Sequence, residues 1–343
     1  MFQRKKGAVK ATAIAHSNIA LIKYWGRAAV ADPGLNIPLN DNISFTKNSM
    51  IDDMKLQTIT TIHFDEIYDR DSAEVNGEKL SGRKLERILR VIDVLRSEAK
   101  SNIKFRMKSI NDFPTQAGLA SSASAFAALT LATASALGLK INREQLSTVA
   151  RLGSGSAARS LHDGFVYFHS ASSHEQAFAE QICEPGHCDM HAVIAIVDES
   201  EKKVTSDAGH DLSAASPFND IRIQRSAEQV MEMRQAILEH DFSAVGKIAE
   251  ANCKYMHAVM MTSEPPLFYW NPETLRIIKK VMSLRQQGLE TYFTIDAGPN
   301  VHCLCRPEDV ETLTIELAAL EGVKKLIPVR PGRGAYLADE HLF

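Results

Sequence analysis

The chain lacks the features of a membrane protein, a nucleic-acid binder or a disulfide-stapled scaffold. The first apolar run, Ala11 to Ile22, is far shorter than a membrane span needs and is interrupted by His16, Ser17 and Asn18. Met1 to Lys10 is polar and basic, without the apolar core of a signal peptide, so a cytoplasmic protein is expected. No basic surplus exists either. Against 39 Lys and Arg stand 42 Asp and Glu, a formal charge of −3, which excludes binding by wholesale neutralisation of a phosphate backbone. Neither nucleic acid nor membrane is expected as a partner. Cysteine is sparse and odd in number, five in 343 residues, which fits reduced thiols better than paired ones. Cys183, His187, Cys188 and His191 crowd together, but they lack the usual Cys-x-x-Cys hook and His191 opens an apolar run, so no zinc site is expected.

What is present is ordinary globular composition, 45% hydrophobic and 24% charged, over a length that favours two domains. Lys10 to Ala20 alternates as a strand would, Asp32 to Ile43 is rich in turn residues, and Ile43 to Thr46 re-enters a sheet. Asp53 to Val75 holds short β-rich runs, closed by the turn signal Asn76-Gly77. Leu85, Ile88, Leu89, Ile92 and Leu95 recur at helical spacing, so a helix spans Gly82 to Lys100, with Arg83, Lys84 and Arg87 in its first turns. Ile103 to Ser109 reads as a strand, and Ser124 to Leu139 and Arg143 to Leu152 as helices, the latter capped by Asn142. Cys183 to His187 reads as the boundary between halves. Beyond it lie a strand at Ala192 to Val197, a polar connection from Asp198 to His210, and helices at Asn219 to His240, Phe242 to Met260 and Asn271 to Gly288. Strands at Tyr292 to Ile295 and Val301 to Cys305, a helix at Pro307 to Leu320 and a strand at Val323 to Val329 complete the chain. Strands and helices segregated in this way indicate α+β layers.

Four stretches suggest chemistry. Pro114-Thr115-Gln116-Ala117-Gly118-Leu119-Ala120-Ser121-Ser122-Ala123 combines small residues with a helix start, the arrangement that aims free N–H groups and the helix dipole at an anion. The same residues would also serve as a plain turn and cap. Gly153-Ser154-Gly155-Ser156-Ala157-Ala158-Arg159 fits G-x-G-x-x-A yet follows a helix rather than a strand, which argues against a dinucleotide fingerprint. It suggests an anion pocket, with Arg159 as a bidentate fork. Lys23, between Ile22 and Tyr24-Trp25, would need an anionic partner if buried, and Asp296 ends a strand before Ala297-Gly298-Pro299-Asn300, where a turn residue is the simpler role.

Together these motifs resemble the ATP-dependent mevalonate diphosphate decarboxylases of the GHMP kinase superfamily. The resemblance rests on Asn18-Ile19-Ala20, Lys23-Tyr24-Trp25-Gly26, Pro38-Leu39-Asn40-Asp41, the Pro114 to Ala123 loop, Gly153 to Ser156 with Arg159-Ser160-Leu161, Met256-His257-Ala258, Pro265-Pro266 and Asp296 to Asn300. It implies a two-domain α+β fold, with a ribosomal S5 domain 2-like half over 1–188, a ferredoxin-like half over 189–343 and a cleft between them. It implies ATP and Mg²⁺, with Ser109 on the adenine side, Pro114, Gly118, Leu119, Ala120, Ser121 and Ser122 on the triphosphate, and Ser122 also on the metal. Asp296, Lys23 and Arg159 would be catalytic, while Asn18, Tyr24, Arg27, Arg87, Ser154, Ser156, Ser206, Asp207 and His210 would bind a phosphorylated mevalonate. A homodimer is implied as well. One departure stands out, because Val204-Thr205-Ser206 is followed by Asp207, a carboxylate that would repel a diphosphate. Mevalonate 5-phosphate is therefore the expected substrate and isopentenyl phosphate the product. Arg27 and Arg87 keep the 5-diphosphate open, and a 3-kinase without decarboxylation or a non-catalytic binding protein are further alternatives. Asp296→Asn is expected to abolish turnover with little loss of fold.

Overall fold

The structure, a computed structural model, describes residues 9–28, 32–113, 121–199, 204 and 206–343, and does not describe the side chains of Val9, Pro33 and Asp207. The first half contains β1 (Val9–His16), β2 (Asn18–Ile22), β3 (Asn42–Ser49), β4 (Gln57–Phe64), β5 (Ser72–Val75), β6 (Glu78–Lys79), α1 (Gly82–Glu98), β7 (Phe105–Asp112), α2 (Ser121–Ala136), α3 (Arg143–Gly153), β8 (Phe165–Phe168) and β9 (Ala179–Cys183). The second half contains β10 (His191–Ile196), α4 (Ser206–Asp211), α5 (Asn219–Leu238), α6 (Phe242–Met261), α7 (Pro272–Gln286), β11 (Tyr292–Thr294), β12 (Val301–Cys305), α8 (Val310–Ala318), β13 (Lys325–Pro331) and β14 (Tyr336–Ala338).

Two sheets result. One runs β14-β1-β4-β7-β5-β6, the other β11-β12-β10-β13-β3-β8-β9 with β2 added on β3. Every pairing is antiparallel except β5 with β7, so the α+β expectation stands. The single strand read at Lys10 to Ala20 is two strands in two sheets. β1 pairs with β4, the chain breaks at Ser17, and β2 pairs with β3. The fully buried β2 departs from simple alternation because it is covered on both faces.

Each helix packs by the face its sequence dictates. α1 buries Ile88, Val91, Ile92 and Leu95, a stripe at i, i+3, i+4 and i+7, into the core beneath the first sheet. α2 is buried on nearly every side, which its Ala-rich composition permits, and lies against β1 and β4. Alternation along β10 divides the second half: Ala192, Ile194 and Ile196 join the core under α5 and α6, while Val193 and Ala195 join the core under α7 and α8. The Asn76-Gly77 turn closes the β5–β6 hairpin with positive φ at both residues, 50° and 86°. The turn read as a boundary between halves falls between β9 and β10, yet both sheets draw strands from both sides of it.

Candidate active site

The end of β2 delivers Lys23 into the interior. Its main chain is pinned on both sides, with its N–H donating to Asn252 Oδ1 at 2.8 Å and its carbonyl accepting from Asn40 Nδ2 at 3.1 Å. Arg222 extends the clamp, donating to Asn40 Oδ1 at 2.9 Å and to the Trp25 carbonyl at 2.7 Å. The Lys23 side chain is 1% exposed, and its ammonium donates to the Ala20 carbonyl at 2.9 Å and to Asp296 Oδ1 at 2.7 Å. A buried ammonium needs such a partner. Asp296 enters from the turn after β11 and keeps 40% of its side-chain surface open. Burial raises its pKa, but the charge and hydrogen bond of Lys23, with His302 and Arg159, bring it down to about 2, so the carboxylate is ionised at neutral pH.

Arg159 is fixed on the short 3₁₀ helix Gly155–Leu161. It donates from Nη1 to Asn42 Oδ1 at 2.6 Å, and from Nε and Nη2 to Asn18 Oδ1 at 3.2 and 3.1 Å. Burial lowers it to about 10, with Asp296 and Tyr24 offsetting part of that, so it stays cationic at neutral pH. Asn18 in turn donates to the Ser156 carbonyl at 3.0 Å and to Ser160 Oγ at 2.7 Å. Its amide therefore orients Arg159. A line of hydroxyls runs outward from there: Ser156 to Ser154 at 3.3 Å, and Ser154 to Ser122 at 3.2 Å. Ser122 lies in the first turn of α2, which carries no acidic side chain, and Ser121 is exposed there. A helix start beside hydroxyls, with no acidic side chain in its first turn, suits an anion, so these residues fit a nucleotide triphosphate with its metal.

The structure thus joins Asn18, Ser122, Ser154, Ser156 and Arg159 in one polar network, and the charge of Arg159 reaches the Lys23–Asp296 pair. Arg87 reaches its edge, donating from Nε to the Gly153 carbonyl and lying 5.1 Å from the centre of the Phe126 ring. Tyr24 donates to the Asn36 carbonyl at 3.2 Å, with its ring over Gly155. Arg27 pairs with Asp211 at 3.0 Å, and Ser206 is exposed at the start of α4.

Two of the expected positions are enclosed. Ser109 is 3% exposed, because β7 turns it into the sheet interior where its hydroxyl meets Thr60 Oγ1 at 2.9 Å. His210 is buried as well. Its ring packs on Tyr24 and Trp25 at 4.4 and 4.8 Å, its Nδ1 accepts from the Gly26 N–H at 3.0 Å, and burial with Arg27, Arg222 and Arg159 pushes its pKa down to about 3. Pro114, Gly118, Leu119 and Ala120 lie outside the described residues, as does the Asp207 side chain. Among the described residues no group of three or more His, Cys, Asp or Glu is placed to hold a metal. Asn42, Asn252 and Arg222 were not anticipated. Asn42 lies in a polar loop run that gave no sign of its target, and the other two sit on helices whose periodicity concealed them.

Residues 15–179 match the diphosphomevalonate decarboxylase-like N-terminal domain, and residues 192–327 match the mevalonate 5-diphosphate decarboxylase C-terminal domain. The chain belongs to the diphosphomevalonate decarboxylase family. Among its relatives, diphosphomevalonate decarboxylase of Candida albicans is 36% identical over 307 residues, covering 84% of this chain and 82% of the relative. Phosphomevalonate decarboxylase of Haloferax volcanii is 32% identical over 304 residues, covering 88% and 90%. The fold agrees with crystal structures of this family. Mevalonate diphosphate decarboxylase from Staphylococcus aureus superposes with a TM-score of 0.89 at 34% identity, covering 97% of this chain and 99% of that one. A further solved chain, in complex with MVAPP, AMPPCP and magnesium, superposes with a TM-score of 0.87 at 33% identity, covering 97% and 100%. No helix among the described residues is long and apolar enough to cross a membrane.

Proposed function

We propose that this protein is an ATP-dependent decarboxylase that converts mevalonate 5-phosphate to isopentenyl phosphate, with ADP, phosphate and CO₂ as the other products. Membership of the family supports decarboxylation of a phosphorylated mevalonate. The observation that carries the chemistry is the Lys23–Asp296 pair, an ionised carboxylate held at 2.7 Å from a buried ammonium, with Arg159 near enough to lower its pKa.

Ser121 and Ser122 would hold ATP with Mg²⁺, which would supply the phosphoryl group that makes the tertiary 3-hydroxyl a leaving group. Asp296 aligns that hydroxyl and accepts its proton, while Lys23 keeps the carboxylate ionised and offers positive charge to the transferring group. Asp296 hands the proton on to the departing phosphate, so that once the C3–O bond breaks and phosphate leaves with its electron pair and that proton, the re-ionised carboxylate stabilises the positive character at C3. Arg159, aimed by Asn18 and Asn42, orients the C1 carboxylate. The C1–C2 bond then breaks, its electrons form the C2=C3 double bond, and CO₂ leaves.

The number of phosphates is read from charge. Arg27 is engaged by Asp211 at 3.0 Å, His210 is neutral, and Asp207 follows Ser206 in the same short helix. With Arg27 paired and His210 neutral, that end of the site offers less net positive charge than its arginines alone would, which favours the smaller anion. The family descriptions and the fungal relatives favour a second reading, in which mevalonate 5-diphosphate is the substrate. ATP-dependent CO₂ release from mevalonate, its 5-phosphate and its 5-diphosphate at matched concentrations separates the two. A kcat/KM at least about tenfold higher for the monophosphate, or ~1.4 kcal/mol, is expected, whereas preference for the diphosphate would overturn the assignment.

A further inference from the structure

A second buried lysine stands beside the reactive pair. Lys47, on β3, is 1% exposed, and its Nζ lies 3.1 Å from His302 Nε2. His302 projects from β12 and is itself 4% exposed. It stands in register with Thr294, whose hydroxyl donates at 3.3 Å to the Ala20 carbonyl that also accepts from Lys23. Lys47 can only donate, so Nε2 accepts and the ring proton sits on Nδ1, an atom with no hydrogen-bond partner. The imidazole thus serves Lys47 and no other group, at the expense of an unsatisfied N–H in the interior.

No salt bridge balances this ammonium within 4 Å among the described residues. The charges that reach it are Asp296, which favours its ionised form, and Lys23, which opposes it. Around Asp296 the same interior holds Arg159 and the uncharged groups His257 and Cys253. Lys23, Lys47 and Arg159 therefore all interact electrostatically with one carboxylate, an excess of positive charge suited to a substrate that brings a carboxylate and acquires a phosphoryl group. Isolated buried ammonium groups are expensive, and packing alone would be served better by an apolar side chain.

We propose that Lys47, held by His302, is a positioning residue for the reaction: its charge, joined to the reactive pair through His302, the facing Thr294 and the Ala20 carbonyl that Lys23 shares, adds to the positive charge around the substrate and stabilises its phosphorylated state. The inference rests on Asp296 acting as described above. Burial lowers Lys47 to about 8, Asp296 countering and Lys23 adding to the effect, so its charge is lost within an accessible range of pH.

The test is kcat and KM between pH 6 and 10, with ATP and whichever phosphorylated mevalonate the wild type prefers, for the wild type and for Lys47→Met, Lys47→Arg, His302→Gln and His302→Leu. In the wild type kcat should fall as pH rises through about 8. Lys47→Arg should keep activity and move that fall out of the range, because guanidinium stays charged. Lys47→Met should lower kcat roughly 10- to 100-fold with a flat profile and little change in KM. His302→Gln, which retains an acceptor, should keep the wild-type profile, and His302→Leu should shift the fall to lower pH. On the wild-type protein itself, the ¹⁵N shifts of the His302 ring should titrate with the same midpoint. An alkaline fall that persists unchanged in Lys47→Met, or a His302 ring blind to pH between 7 and 9, would overturn the inference while leaving the proposed function intact. Absence of any ATP-dependent turnover in the wild type would overturn the proposed function and the inference together.

Discussion

Asp296 gives up charge sharing with water to bind Lys23, and its substitution therefore acts twice. Asp296→Asn removes the reacting carboxylate and should lower kcat by at least about 10³-fold, the scale of a lost aligned base and electrostatic stabiliser. It also leaves a 1%-exposed ammonium without its counter-ion, so the expectation of an undisturbed fold is revised to a loss of about 1–3 kcal/mol. That is less than the ~3–5 of a fully enclosed pair, because Asp296 keeps 40% of its surface. The pH dependence follows from the sign of the shift. The folded pKa, about 2, is below the ordinary 3.8, so the stabilisation is complete above pH 3.8 and is lost as pH falls through 2. The melting-temperature gap between wild type and Asp296→Asn should accordingly narrow from pH 4 to pH 2, and a constant gap would remove the ion pair from the account. Asn42→Ala, which strips an acceptor from the buried Arg159, should raise the KM for the phosphorylated mevalonate by roughly 5- to 100-fold, a penalty of about 1–3 kcal/mol, with ATP affinity unaffected. Unchanged KM in that variant would mean that Arg159 is aimed by Asn18 alone.

At the scale of elements, close approach of backbone to ring sets the site's walls. A Cβ on Gly155 would sit 2.4 Å from the Tyr24 ring, and one on Gly153 2.0 Å from the Phe126 ring. Gly155→Ala should displace Tyr24 and depress kcat/KM with a modest change in melting temperature, whereas Gly153→Ala, deep between α3 and α2, should cost about 1–3 kcal/mol of stability. Equal effects of the two on stability and activity would contradict this division. Helices were the most legible elements because their signals are local: Asn142 caps α3 with a complete capping box, and α5, α6 and α7 end within a few residues of where periodicity placed them. β14 was missed, since three residues of strand carry no periodicity and owe their form to β1. The same contrast holds in the site. Lys23 was visible as a charge in an apolar run, whereas Lys47, flanked by Thr46, Asn48 and Ser49, carried no such signal. His302 and Arg222 become site residues only through strand order and helix packing.

For the whole molecule, the first and last strands described, β1 and β14, meet in one sheet. β14 pairs with β1, Thr12 Oγ1 lies 2.7 Å from His341 Nδ1, and the Leu342 N–H donates to Thr61 Oγ1 at 3.0 Å. Deleting 336–343 would expose the β1 edge and these buried hydroxyls, so a lowered melting temperature and concentration-dependent aggregation are expected. Retained stability would show that the first sheet stands without its last strand. The order of the chain lets β2 and β3 bring Asn18, Lys23 and Asn42 from the first half to Asp296 of the second, the meeting on which the proposed function rests. The most direct measurement is the ratio of ADP to CO₂ released from mevalonate 5-phosphate labelled at C1, followed over the first turnovers. One CO₂ for each ADP is expected, both disappearing in Asp296→Asn; ADP formed without labelled CO₂ would mean that the chemistry stops at the 3-phosphate and that the protein is a kinase.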